Sequence, residues 1–489
     1  MTTIAITQNE GDAARLPGKR AAAKPGVVGF GVNANAPWIV VPLQFVLTGL
    51  VALGLGIALV LARPDILATY HYNQYVIATT HVFVLGFIGS IVMGALYQLV
   101  PVALETRLYS ERLAHVHYWL HLAGVAGMVW MFWKWDMKQV GHFGCVFGTG
   151  VALFVYNIGR TLVRVPKWNV IAGSVVSALG WLCAAILAGL MIAVGKCSYE
   201  SAATLSPDTL LGGLIHGLRS AAGLMARFDQ FGAMHAHAHL GMVGVYVMLI
   251  VGISYKLIPM FALSDIQCPA RARASIGLLN LGLAGSFVTI LLRSPWKLLF
   301  AGVAIAGLVF YAVEMRAILR ARKRRVLDWG LKYFLTAISL LGVISALAAV
   351  LSWPGLPLNE FTGQLENLYG YGAVLGVVTL AILGMLYKIL PFLVWYGTYS
   401  RHIGARRVPS LADLYSPWIQ AAQFAVYLVA LVVAGGGIIG GSALWVRIGF
   451  GMLAVAFGLF AVNAAKMLSH LVWPKVQPLT APAALAKKV

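Results

Sequence analysis

Apolar windows of about twenty residues recur along the whole of this chain, and such a series leaves few folds open. Spans are predicted near 37–62, 75–102, 112–134, 142–163, 169–194, 232–262, 273–293, 296–319, 328–353, 366–397, 415–437 and 443–472. Backbone in hydrocarbon must satisfy its own hydrogen bonds, so windows of this length read as helices. Only 10% of the 489 residues are charged and 60% are apolar, too little charge to coat a water-facing surface. The expected fold is all-α and integral to the membrane, with about twelve transmembrane helices.

Lys and Arg crowd alternate loops, with the densest run from Arg316 to Arg325. That bias predicts cytoplasmic N- and C-termini in a multi-pass protein of a bacterial inner (cytoplasmic) membrane. It also accounts for the net charge of +21 without nucleic acid, because the basic residues lie in short loops and not on one polar face. Residues 1–36 read as a disordered cytoplasmic arm, 37–472 as the membrane domain and 473–489 as a cytoplasmic tail. Within the membrane domain, 195–231 read as a periplasmic flap whose amphipathic piece, Leu210 to Leu224, lies on the membrane surface. The four cysteines show no CxxC spacing and no CxxCH, which removes zinc ribbons and covalently attached haem. Cys145 and Cys197 fall near outer helix ends, where they either pair or pack as small groups. No Walker motif, nucleophile elbow or dinucleotide fingerprint is present, and Gly435 to Gly441 reads as a tight turn.

An internal repeat organises the chain. His81, Gly86, Gly94, Tyr97 and Pro101 recur at identical offsets as His239, Gly244, Gly252, Tyr255 and Pro259. A third copy reads Tyr371, Gly376, Gly384, Tyr387 and Pro391, with Tyr in the place of His. The copies fall on the second, sixth and tenth spans, which divides the chain into three quasi-equivalent four-helix units. The glycines allow close helix approach in lipid. The Tyr suits an interface, and the Pro ends or bends its helix. Lys256 and Lys388 follow their Tyr directly, either as proton-path groups or as side chains snorkelling to the interface.

Twelve histidines divide by depth. His81, His235, His237 and His239 occupy the outer third of their helices, with His71, His142 and His216 on the same side. His115, His117, His121, His402 and His470 lie toward the inner side, where bonding to loops and water is expected. The run His-Ala-His-Ala-His is uncommon in an apolar segment, because an imidazole there is costly unless it is bonded or ligating. His235 and His239 share one helix face and His237 lies nearly opposite. The cluster therefore reads either as a metal site of His235, His237 and His239 or as a hydrogen-bonded group, and imidazole donors suit copper, zinc or haem iron.

These features together resemble the haem–copper oxidase superfamily, which includes cytochrome oxidase subunit I and the nitric oxide reductase large subunit. The resemblance covers nearly all of the chain after residue 36. It is carried by Tyr72-Asn73 with His81, by the Gly-rich, Pro-ended second span, and by Tyr118-Trp119-Leu120. In the sixth span His239-Leu240 with Gly244-Val245-Tyr246 is similar to the reductase helix that donates a copper ligand. The resemblance implies haem b and copper near the periplasmic face, with His81 as a haem ligand. Where the family has H-x-H on the tenth helix, this chain reads Tyr369-Gly370-Tyr371. The span Ala272 to Leu292 has no His for copper, and Val243 or a neighbour replaces the reductase glutamate.

The resemblance therefore implies a membrane redox protein with a reduced ligand set, His81, Tyr369 and Tyr371 being candidates for a haem. Its role would be respiratory or related to nitric oxide, with electrons from a partner subunit or separate donor. The alternative from the same residues is a non-catalytic subunit, or a metal or small-molecule carrier, that keeps the fold without the binuclear centre. Enzyme status stays open between them.

Overall fold

The computed structural model describes residues 39–69, 72–196, 206, 208–225 and 227–478. The expected arm, most of the tail, the first part of the flap, His71 and Cys197 lie outside the described residues. Among the described residues twelve long helices follow one another: α1 (Val40–Ala62), α2 (Gln74–Ala103), α3 (Glu111–Lys134), α4 (Met137–Leu162), α5 (Val170–Gly195) and α6 (Gln230–Ala262). The second half comprises α7 (Pro269–Leu291), α8 (Lys297–Arg320), α9 (Trp329–Leu351), α10 (Glu360–His402), α11 (Pro417–Ile439) and α12 (Ala443–Val472). Eleven are long and apolar enough to cross a membrane. The other, α3, has the length, but Glu111, Arg112, Lys134 and three histidines make it less apolar. The protein is an all-α, multi-pass membrane protein.

Most helices start where a short polar side chain takes up otherwise unpaired N–H groups. Asn73, Asn169 and Asn359 cap α2, α5 and α10, the first helix of the second unit and the inner helices of the first and third. Ser110 and Ser416 cap α3 and α11, and Asp136, Asp229 and Asp328 cap α4, α6 and α9. Asn359 also explains why α10 begins six residues before its predicted apolar window. The amphipathic stretch after the flap is a helix, Leu210–Met225. The Gly-rich run turns α11 into α12 as expected, with Gly441 at φ +60°. Cys145 is a free thiol.

The three predicted units are visible in the packing. In the most apolar stretch of α2, α6 and α10, 61, 72 and 78% of residues are buried, against 17–44% in the other candidate spans. The helices carrying the repeat therefore form the interior. In each unit the first helix crosses the second at the repeat's second glycine. A Cβ at Gly94 would come 2.5 Å from Phe45 Cβ on α1, and one at Gly384 would come 2.6 Å from the Gly330 carbonyl on α9. One at Gly252 would collide with Ser174 on α5. The third and fourth helices of each unit close to backbone contact through another glycine. A Cβ would come 2.6 Å from Phe147 N at Gly124, 2.5 Å from Ala304 N at Gly282 and 2.5 Å from Ala434 N at Gly449.

Two expectations are corrected here. Tyr97, Tyr255 and Tyr387 are not interfacial rings but are 0, 2 and 1% exposed. Each hydroxyl is bonded to the seventh residue of the third helix: His117 Nδ1 (3.0 Å), Ser275 Oγ (2.8 Å) and Gln423 Oε1 (2.8 Å). A buried phenol needs such a partner, and the third helix is near enough to supply it. Pro101 and Pro259 fall within three residues of their helix ends, but α10 continues past Pro391. That extension is tied down by Trp395, which donates to Pro409 O, and by Tyr399, bonded to His470 Nδ1. Lys388 is paired with Asp328 at the cap of α9.

Candidate functional site

The site is built at the end of α2, α6 and α10 that opens each repeat. Immediately after His81, His239 and Tyr371 the helices widen into π-helical segments, Val82–Gly89, Leu240–Val247 and Gly372–Thr379. Wide turns of this kind often mark functional positions, because they re-aim the side chains beside them. Here all three start at the same place in the repeat. Tyr246 in the second segment donates to Val84 O in the first at 2.7 Å, which ties α6 to α2.

His81 and His239 are held alike. The Nδ1–H of His81 donates to Ile77 O at 2.7 Å, and that of His239 donates to His235 O at 2.7 Å. Each bond fixes the ring and the tautomer, leaving Nε2 with its lone pair. His239 Nε2 accepts from the Tyr369 hydroxyl at 3.3 Å, and the two rings lie 22° from parallel. Tyr369 is placed by the first turns of α10, where Gln364 donates to Ala68 O and Asn367 to Thr69 O. The His81 ring lies against Phe132 of α3, with centroids 4.6 Å apart.

His237 turns the other way, as its 200° offset from His239 requires. Its Nδ1–H donates to Ala185 O of α5 at 2.9 Å, again freeing Nε2, and His81 is its electrostatic neighbour. Gly189 makes room for this ring, since a Cβ there would lie 2.9 Å from His237 Cε1. Gly189→Ala is expected to push the imidazole off Ala185 O and to cost about 1–3 kcal/mol. The denaturation midpoint in detergent measures it, with Gly180→Ala, which meets nothing within 4 Å, as the neutral control on the same helix.

The residues expected to act together are thus only partly assembled. Tyr369 meets His239, and His81 neighbours His237. His237 and His239 point to different neighbours, Ala185 O on α5 and Tyr369 on α10, and His235 is half-buried one turn from His239. Among the described residues no group of three or more His, Cys, Asp or Glu side chains is placed to hold a metal ion. Tyr371 is turned away from His81, with its hydroxyl donating to Leu431 O on α11 and its ring against Phe450 of α12. A haem held between His81 and Tyr371 does not fit that orientation, and on His81 it is Nε2 that the Ile77 bond leaves over. Phe132, Gly189, Ala185 O and the π segments escaped the sequence reading. Only the fixed offset of Gly86, Gly244 and Gly376 behind the site hinted at the last.

The inner histidines correct a further expectation. His117 and His121 are 0 and 1% exposed, inside the protein and not bonded to loops or water at an interface. His470 is also buried, against Tyr399.

Residues 32–138 match the family described as cytochrome c and quinol oxidase polypeptide I. That stretch contains α1 to α3 and His81. Among curated proteins, the cytochrome c oxidase subunit 1 homolog, bacteroid, of Bradyrhizobium diazoefficiens (strain USDA 110) is 27% identical over 140 residues. The similarity covers 28% of this chain and 25% of that protein, so the chain matches about a quarter of its relative's length.

Proposed function

Because the chain belongs to the haem–copper oxidase superfamily, on the match of residues 32–138, we propose that it is a membrane redox protein holding a haem b through His81 near the periplasmic face. The observation that carries this reading is the Nδ1–H bond of His81 to Ile77 O, which orients the ring and leaves Nε2 as the nitrogen that would hold a haem iron. A haem bound there would supply one-electron chemistry. The chain's own residues would set its surroundings. Phe132 packs one side of the His81 ring, and Tyr369 with His239 forms a hydrogen-bonded pair one helix away. On α6, His237 keeps its Nε2, whereas His239 Nε2 is taken by Tyr369 and its ring faces the other side of the helix, so the two do not meet at one copper ion. The respiratory or nitric-oxide-related role, with electrons from a partner subunit or separate donor, belongs to the same proposal.

Purified full-length protein should show a Soret band and about one haem per chain, and His81→Ala should abolish both while the helical spectrum persists. A wild-type protein without a Soret band would remove the reading. One observation favours a second one. Tyr371 is committed to α11, which suits a non-catalytic subunit or carrier that has kept the fold. A haem-free but well-folded wild type would support it.

A further inference from the structure

The geometry points to a second metal site at the other end of the first unit: a copper(I) ion held by His117 Nε2, His121 Nδ1 and the thioether of Met93. The two histidines lie one turn apart on α3, with ring centroids 5.8 Å apart. Each has one nitrogen bonded to a hydroxyl of α2, His117 Nδ1 to Tyr97 at 3.0 Å and His121 Nε2 to Ser90 at 2.8 Å. The remaining nitrogens, His117 Nε2 and His121 Nδ1, are buried and have no hydrogen-bond partner. Two orphaned imidazole nitrogens on adjacent turns are costly in a protein core unless something binds them.

Met93 supplies the third donor by placement. Ser90, Met93 and Tyr97 follow at i, i+3 and i+7 on α2, so they share one helix face. Ser90 and Tyr97 are the residues that touch His121 and His117, and Met93 falls between them. Met93 is 4% exposed and lines a narrow apolar cavity together with Gly89, Phe154 and Tyr246. Phe154 is 5.2 Å from the His117 ring, and Gly89 lies beside His121.

The chemistry of the donors selects the ion. All three are neutral, and α2 carries no acid while α3 carries only Glu111 at its start. A divalent ion would bring two uncompensated charges into a dry, Phe-lined interior. A soft monovalent ion brings one and prefers imidazole and thioether donors. Both hydroxyls then accept from the bonded nitrogens, which leaves lone pairs on the other two. The Tyr97 bond itself does not call for an imidazole. Ser275 and Gln423 fill the same position in the other two units.

That comparison supplies the test, which is independent of any group at His81. Apo full-length protein in detergent is titrated anaerobically with copper(I) against a chromogenic copper(I) chelator, and bound copper is counted and its ligands read by X-ray absorption. Wild type should hold one ion with nitrogen and sulfur donors, and His81→Ala should retain it. His117→Gln, which borrows the residue of the third unit, should lose it while remaining folded. Met93→Leu should weaken binding about tenfold or more and remove the sulfur signal. The proposal is overturned if wild type binds no copper(I). It is equally overturned if folded His117→Gln and Met93→Leu proteins hold as much as wild type, or if the copper is lost with His81→Ala instead.

Discussion

Glu314→Ala is expected to destabilise the second unit by about 3–5 kcal/mol, the cost of removing one partner from a buried charged network. The Glu314 side chain is fully buried near the end of α8. One carboxylate oxygen accepts from the backbone N–H groups of Gln267 (2.6 Å) and Cys268 (2.8 Å), and the other accepts from Arg271 Nε at 2.8 Å. Cys268 precedes α7 and its side chain caps nothing, and Glu314 on the neighbouring helix holds the chain where it enters α7. In the first and third units an asparagine does this. Asn157 accepts from Ser110 N and donates to Ser110 O, and Asn463 does the same with Ser416. Glu314→Gln should be milder, because an amide oxygen still serves the two N–H groups and the part-exposed Arg271 can turn to water. Denaturation midpoints in detergent give both values. Equal losses for Ala and Gln would show that the Arg271 charge, and not the bonds to the two N–H groups, is what matters.

Gly282→Leu is expected to be worse still, with a loss above about 3 kcal/mol and little folded protein recovered. The atoms a side chain would meet there are Ala304 N at 2.5 Å and Ala304 Cα at 2.7 Å, which are backbone and cannot rotate away. The α7–α8 hairpin would have to part. Gly277→Leu, at a position on the same helix where a Cβ meets nothing within 4 Å, should be tolerated. Comparable yields and midpoints for the two variants would mean that the hairpin is not held by backbone contact.

The positions of all twelve helices were legible because a hydrocarbon solvent imposes a length on every span, and the repeat because glycine, tyrosine and proline kept their spacing. The partners of those residues were not. Tyr97, Tyr255 and Tyr387 carry the same letter as belt tyrosines, and only the third helix beside them reveals a buried clamp. The asparagine and glutamate clamps act across 47, 46 and 47 residues of chain, with no local pattern to announce them. At the site, the opposed directions of His237 and His239 followed from helix geometry. The turning of Tyr371 toward α11 did not, because it depends on which backbone carbonyl lies within reach. His117 and His121 looked interfacial because α3 is the least apolar of the twelve, although those polar side chains face inward.

The three wide turns behind His81, His239 and Tyr371 have a consequence for how such a chain can change. A regular helix transmits any twist along its length, whereas a loosened turn acts as a joint between two independently set halves. The lower half of each inner helix is held by its tyrosine and by the glycine where its neighbour crosses. The upper half can then be rephased, or exchange imidazole for phenol as the third copy has done, without disturbing the scaffold beneath. A fold divided in this way can shed or acquire ligands one helix at a time.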